Sequence, residues 1–333
     1  MIKNFFKKHS IHKEVVKRFD WIFAFNLPKF FILAAIFSWG MASAYFQVNS
    51  SYLSYFNTNF NYSDIVIYIG FFLLLGGLNI QSELDKLKYT FDSTKKEYVR
   101  DENNLNYPIL ASYILNEGNM KKISVMSIFL GIFIISIYSV SIIPTLLLYS
   151  YLNLFIYKII IKKNSYPQNV IFSISTNFFL FISGWIYKAA SFAQIIEYIP
   201  IYLLVVTPII LTYEQVYFEQ FEQKSINTKV VFSISALMLI SVFCITYFLN
   251  IDPIISHFVL IVLPFYFFAL FRGLPKDFIR SFIYPIMVIN ILLSWTLFPY
   301  LFLFILLNFY MCKYYYWHRF DIHFPKFTIE ENS

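Results

Sequence analysis

Two short stretches concentrate side chains that can do chemistry at the ends of long apolar runs. The first is Gly76-Gly77-Leu78-Asn79-Ile80-Gln81-Ser82-Glu83-Leu84-Asp85, and the second is Tyr213-Glu214-Gln215-Val216-Tyr217-Phe218-Glu219-Gln220-Phe221-Glu222. On a helix, Asn79 and Glu83 share a face at a spacing of four, and Glu219 and Glu222 share one at three. A carboxylate at a membrane boundary is costly unless it has work there. Two acidic clusters at one depth can hold divalent cations, and Mg²⁺ favours a few carboxylates together with substrate phosphate oxygens. That chemistry suits a diphosphate at the membrane surface with its hydrocarbon tail in the bilayer. The competing reading is plain solvation, with Lys86, Lys88, Lys224 and Lys229 balancing the acids.

The elements that must position these residues follow from composition. Of 333 residues, 59% are hydrophobic and 14% charged, with 41 Phe and 27 Tyr. A soluble chain carries about 25% charge, so an ordinary cytosolic enzyme is excluded, and the aromatic content excludes disorder. A bilayer span needs ~20 residues, which leaves room for roughly ten. Apolar runs place spans near 27–47, 63–82, 122–141, 142–160, 168–187, 196–217, 229–249, 253–271, 278–295 and 297–313. Because 278–313 also reads as one broken span, the expectation is an all-α, polytopic transmembrane helical bundle of nine or ten spans. Pro144, Pro208, Pro264 and Pro285 fall within these runs, as membrane helices tolerate.

Basic residues set the orientation. All but one of the 26 Lys and Arg fall in the segments 1–30, 83–122, 158–166, 222–229, 272–280 and the tail from Lys313; Lys188 is the exception. With a cytoplasmic N-terminus this satisfies the positive-inside rule. Residues 1–26 read as an amphipathic segment on an anionic cytoplasmic surface, 27–315 as the transmembrane domain and 316–333 as a polar tail. The net charge of +7 is thus a topology signal, with membrane lipids rather than nucleic acid as the partner. Cys244 and Cys312 lie in apolar runs and read as small buried residues, and the five histidines form no metal set. Asn177 and Gln194 read as interhelical hydrogen-bonding groups, and Trp39 and Trp185 as interface or packing residues.

Several matches, in order along most of the chain, make the sequence resemble the UbiA-type intramembrane prenyltransferases. Asn79…Glu83-Leu84-Asp85-Lys86 is similar to the family's first acidic motif. Asn106-Tyr107-Pro108-Ile109-Leu110-Ala111-Ser112 resembles the segment before its third span. Tyr157 and Lys162-Lys163, with Tyr166-Pro167-Gln168, resemble the Tyr/Lys-Arg loop before span five. Glu219…Glu222 with Thr228 resembles the second acidic motif.

The resemblance implies transfer of an isoprenoid chain from a polyprenyl diphosphate to an aromatic or lipid acceptor, assisted by Mg²⁺, in a bacterial inner membrane. It implies that Glu83, Asp85, Glu219 and Glu222 hold the metal with Asn79 beside them. Lys162, Lys163, Tyr157 and Lys86 would then face the diphosphate. Departures motivate an alternative: Leu87 stands where the first motif ends in Asp, and the second pair is three apart. The alternative is a non-catalytic isoprenoid- or lipid-binding or transport protein that retains the fold. The polar segment 83–122 is expected to supply a lid.

Overall fold

The computed structural model describes residues 10–49, 62–89, 91–92, 97–98, 117–156, 166–188, 193–220, 227–249, 253–274, 277–278, 280–281, 284, 287–288 and 299–320. In chain order they form α1 (Ser10–Lys17), α2 (Asp20–Phe23), α3 (Leu27–Asn49), α4 (Tyr62–Tyr89), the paired strands β1 (Phe91–Asp92) and β2 (Glu97–Tyr98), and α5 (Glu117–Tyr138). There follow α6 (Ile143–Tyr151), α7 (Tyr166–Lys188), α8 (Ala193–Gln220), α9 (Thr228–Phe248), α10 (Pro253–Arg272) and α11 (Pro299–Phe320). Among the described residues the architecture is all-α apart from the two-residue antiparallel pairing of β1 with β2.

Six described helices are long and apolar enough to cross a membrane, within Tyr62–Ser82, Gly118–Tyr138, Tyr166–Lys188, Tyr198–Val216, Thr228–Phe248 and Ile255–Arg272. They coincide with six expected spans and mark a multi-pass membrane protein. Shorter apolar helical stretches cover Ile32–Ala44 and Val140–Ile156, and most of the run expected at 278–295 lies outside the described residues.

The chain divides into two compact units. Unit 1 comprises Met1–Phe31, Asn61–Val140 and Leu303–Ser333; unit 2 comprises Ile32–Phe60 and Ser141–Phe302. In unit 1, α4 packs along α5. The face of α5 turned inward carries Ser124, Ser127, Gly131 and Ile135, all buried, whereas Met126, Phe129, Leu130, Phe133 and Ile137 are exposed. Small residues inside and large apolar residues outside reverse the pattern of a soluble helix. In lipid the outer face costs nothing, and close backbone approach supplies the packing. A Cβ on Gly131 would lie 2.6 Å from the Leu74 backbone nitrogen, and Ser124 Oγ donates to the Gly77 carbonyl at 2.8 Å.

In unit 2, α7 crosses the part of α3 that belongs to this unit at Gly40 and Gly184, and an aromatic cluster fills the space beside the crossing. Trp39 stacks on Tyr202 with ring centroids 5.7 Å apart and meets Phe181 edge-on at 5.0 Å. Trp39 and Trp185 are buried, in keeping with the packing role expected of them. Pro144 lies in the first turn of α6, after a 3-10 turn at Val140–Ile142 and inside the apolar stretch Val140–Ile156. Proline lacks an N–H, and the first helical turn has no use for one. Cys312 is buried as expected, but Cys244 is exposed on the outer face of α9.

Local rules set the helix starts. Asn26 takes a left-handed conformation (φ 57°), and its Oδ1 accepts from the Lys29 backbone N–H at 3.2 Å, so α2 breaks and α3 begins there. Asparagine tolerates this region better than other L-residues with side chains of its size. Asn227 caps α9 the same way, accepting from the Lys229 N–H at 3.0 Å.

Candidate functional site

Both acidic stretches prolong a membrane-length helix past its apolar segment. On α4 the apolar segment ends at Ser82 and the helix continues through Glu83, Asp85 and Lys86 to Tyr89. On α8 it ends at Val216 and the helix continues through Glu219 to Gln220. The side chains of Glu83, Asp85, Lys86 and Glu219 lie outside the described residues, as do Tyr157, Lys162, Lys163 and Glu222 entirely. Most of the proposed lid segment lies outside them too. Tyr157 directly follows a π-helical turn at Leu152–Ile156, where Asn153 Nδ2 donates to the Tyr149 carbonyl at 2.9 Å. Among the described residues, no group of three or more His, Cys, Asp or Glu could hold a metal ion.

Asn79 is described with its side chain. It is 4% exposed, and its Nδ2 has no hydrogen-bond partner among the described residues; Ser82, one turn on, is 6% exposed with its Oγ likewise unpartnered among them. Leaving a buried donor unsatisfied costs about 1–3 kcal/mol, and here two such groups lie on one helical turn.

The end of α4 is held by an apolar cluster in which Ile80 and Leu84 join Val16, Phe23, Ala24, Phe25, Leu27, Met120, Cys312, Tyr315 and Tyr316. This cluster joins residues of α1 and α2 to residues of α11. At its edge Asp20 is buried: Arg319 Nε donates to its two oxygens at 3.0 and 3.2 Å, Nη2 donates at 3.0 Å, and the Tyr315 hydroxyl donates to Oδ1 at 2.6 Å. The Phe23 and Tyr315 rings stack at 3.6 Å. Burial, and then the hydrogen bond to Asp20, push the Tyr315 phenol far above its ordinary range. Sequence reasoning missed Asp20, because its partner lies 299 residues away.

On the neighbouring turns, His12 stacks on His318 at 5.4 Å, and the Tyr314 hydroxyl shares a hydrogen bond with His12 Nδ1. Burial first, and the adjacent His12 second, lower the His318 pKa below 6.5. As pH falls through 6.5 the unfolded segment binds the proton first, so the docking of α1 is fully supported above that value and weakens below it. Protection of the α1 amides against hydrogen exchange, corrected for intrinsic rates, is expected to fall between pH 7.5 and 5.5 in the wild type. In His318→Gln the protection should be the same at both pH values.

In unit 2, the last turns of α8 form a polar seam. Ser173 Oγ of α7 donates to Glu214 Oε1 at 2.9 Å, and Tyr166 donates to the Leu211 carbonyl at 3.1 Å. Gln215 Nε2 donates to Thr228 Oγ1 of α9 at 3.1 Å, and Thr212 Oγ1 lies 3.1 Å from the Tyr266 hydroxyl of α10. Glu214 is 6% exposed. A carboxylate so buried needs a fixed donor, which Ser173 supplies. Glu214 was visible in the sequence as part of the second acidic stretch, but nothing local distinguished it from Glu219. Thr228, which the family resemblance places after the second acidic pair, anchors α9 to α8 here.

No protein-family model, no curated protein and no solved structure matches the chain.

Proposed function

We propose that the chain is a membrane-embedded prenyltransferase of the UbiA type, transferring an isoprenoid chain from a polyprenyl diphosphate to an aromatic or lipid acceptor. In this reading the N-terminus and both acidic helix ends face the cytoplasm of a bacterial inner membrane. The observation that carries it is Asn79. A buried asparagine whose amide nitrogen has no partner among the described residues sits one turn before Glu83, where α4 leaves its apolar stretch. Its Nδ2 offers a donor to a diphosphate oxygen and its Oδ1 a hard oxygen ligand, which fits the donor set Mg²⁺ takes.

Glu83, Asp85, Glu219 and Glu222 would hold Mg²⁺, which when bound neutralises charge on the departing diphosphate. Lys162 and Lys163, with Lys86, would add positive charge to the same oxygens, and Tyr157 would orient them. Electron-rich rings facing the allylic carbon would stabilise positive charge there, and the apolar helices would exclude water.

The test is diphosphate release from a labelled polyprenyl diphosphate, in membranes, with and without Mg²⁺ and a panel of hydroxylated aromatic and lipid acceptors. Glu83→Gln and Glu219→Gln should each lower the rate about 100-fold, the scale of losing one electrostatic stabiliser of a transition state. Equal rates in wild type and variants would refute the enzymatic reading. A second reading, an isoprenoid- or lipid-binding or transport protein, is favoured by Leu87 and by the short Glu219–Glu222 spacing. It predicts retained isoprenoid binding with no release at any Mg²⁺ concentration.

A further inference from the structure

At the end of α10 in unit 2, three cations converge on one turn. Gly273 ends α10 with a left-handed φ of 65°, and its N–H closes the helix on the Ala269 carbonyl at 2.8 Å. The chain then turns so that the Asp277 and Phe278 N–H groups both reach the Leu274 carbonyl. Phe278 anchors the turn by packing on Phe232 of α9, with ring centroids 4.6 Å apart.

This fixes Asp277, whose side chain is fully buried, between two arginines. Arg272 Nε lies 3.4 Å from Oδ2 and Arg280 Nη1 lies 3.3 Å from Oδ1, while the arginine side chains remain 39% and 51% exposed. Lys229, in the first turn of α9, lies over Gly273: a Cβ there would be 3.6 Å from its Nζ. Among the described residues one carboxylate faces three cations there, so these four groups together keep a net positive charge and unused donors. It sits where the apolar segments Thr228–Phe248 and Ile255–Arg272 both end. Phe268, Phe271 and Val230 are exposed beside it.

Cations at a span boundary, with apolar side chains facing outward below them, match the two ends of an amphiphile. We propose that Lys229, Arg272 and Arg280 form a site for the phosphate of an anionic phospholipid, organised by Asp277, with the acyl chains lying on Phe268 and Phe271. Arginine suits this role because its fork meets phosphate oxygens at two points. The site stands independently of the prenyltransferase reading.

Native mass spectrometry of the full chain in detergent tests it, titrated with phosphatidylglycerol, phosphatidylcholine or inorganic diphosphate. Each cation removed should weaken phosphatidylglycerol binding roughly fivefold. The doubly substituted Lys229→Gln, Arg280→Gln chain should therefore bind more than tenfold more weakly, with Lys122→Gln in unit 1 unchanged. Asp277→Asn separates an organised site from bulk charge: it adds positive charge yet should weaken binding, because the arginines lose their anchor. Should that variant fail to fold, Arg280→Gln alone must still show the fivefold loss. Stronger binding by folded Asp277→Asn, equal loss in Lys122→Gln, or no loss in the double variant would overturn the proposal. Displacement of phosphatidylglycerol by micromolar inorganic diphosphate would overturn the lipid assignment in favour of a free phosphate ligand.

Discussion

Replacing Gly184 with leucine should eliminate recovery of folded protein in detergent, and Gly40→Val should do the same. At this crossing in unit 2, a Cβ on Gly184 would overlap the Phe37 carbonyl oxygen, and one on Gly40 would overlap that of Phe181. The obstacles are backbone atoms, so no rotamer change relieves them and the two helices must separate. Overpacking of side chains against side chains costs about 1–3 kcal/mol; a backbone obstacle should exceed that range. Even alanine should lower thermal stability markedly at either position. Separation would also open the Trp39–Phe181–Tyr202 cluster beside the crossing. Leu237→Ala, at an exposed apolar site of α9, should leave recovery unchanged. Thermal stability by fluorescence-detected size exclusion provides the measurement, and normal behaviour of Gly184→Leu would refute the crossing.

Asp20→Ala should loosen α1 and α2 from the end of α11 in unit 1. The carboxylate is 2% exposed and Arg319 16% exposed, so this ion pair is shielded from solvent. Removing one partner of a buried pair typically costs 3–5 kcal/mol, because the charge left behind stays uncompensated. Here the Tyr315 hydroxyl loses its acceptor as well. The cost should fall on the docking of α1, α2 and the end of α11 rather than on α9 or α10. Hydrogen exchange should therefore accelerate at the amides of α1 and α2, with those of α9 unchanged. A cycle with Arg319→Met should show the two substitutions to be non-additive, because the methionine variant has already removed the charge that Asp20 compensates. Additive costs would show that the pair is a surface contact of little consequence.

This latch bears on the proposed chemistry because the cluster it closes includes Ile80 and Leu84, which flank Asn79 and Glu83 on α4. If the acidic end of α4 holds Mg²⁺, loosening the latch should weaken that hold without touching a ligand.

Helix identity was legible because it is local. A run of about twenty apolar residues satisfies its backbone internally whatever surrounds it, since lipid offers no other partners. The segments at 63–82, 168–187 and 229–249 were therefore placed within a few residues of the helices observed. Asn79 was singled out on spacing alone, but its Nδ2, unpartnered among the described residues, required the packing around it. The inward and outward faces of α5 could have been read from the Ser124, Ser127, Gly131, Ile135 spacing, once small residues are taken as the inner face. The buried acids could not: Asp20, Glu214 and Asp277 sit among other charged residues and carry no local mark.

Composition and apolar run length were enough to establish a helical, multi-pass chain and to draw attention to the charged ends of α4 and α8. Those properties depend on each segment's own transfer free energy between water and lipid. Pairing depends on which segments meet, and only the tertiary structure decided that. It joined Asp20 to Arg319 across 299 residues, Gly40 to Gly184, Ser173 to Glu214, and Lys229 to the turn after α10. In lipid, apolar surface is equally comfortable against a neighbour or a hydrocarbon tail, so apolarity does not choose the partner. The choice falls to close backbone approach and to the few polar groups that must find one another.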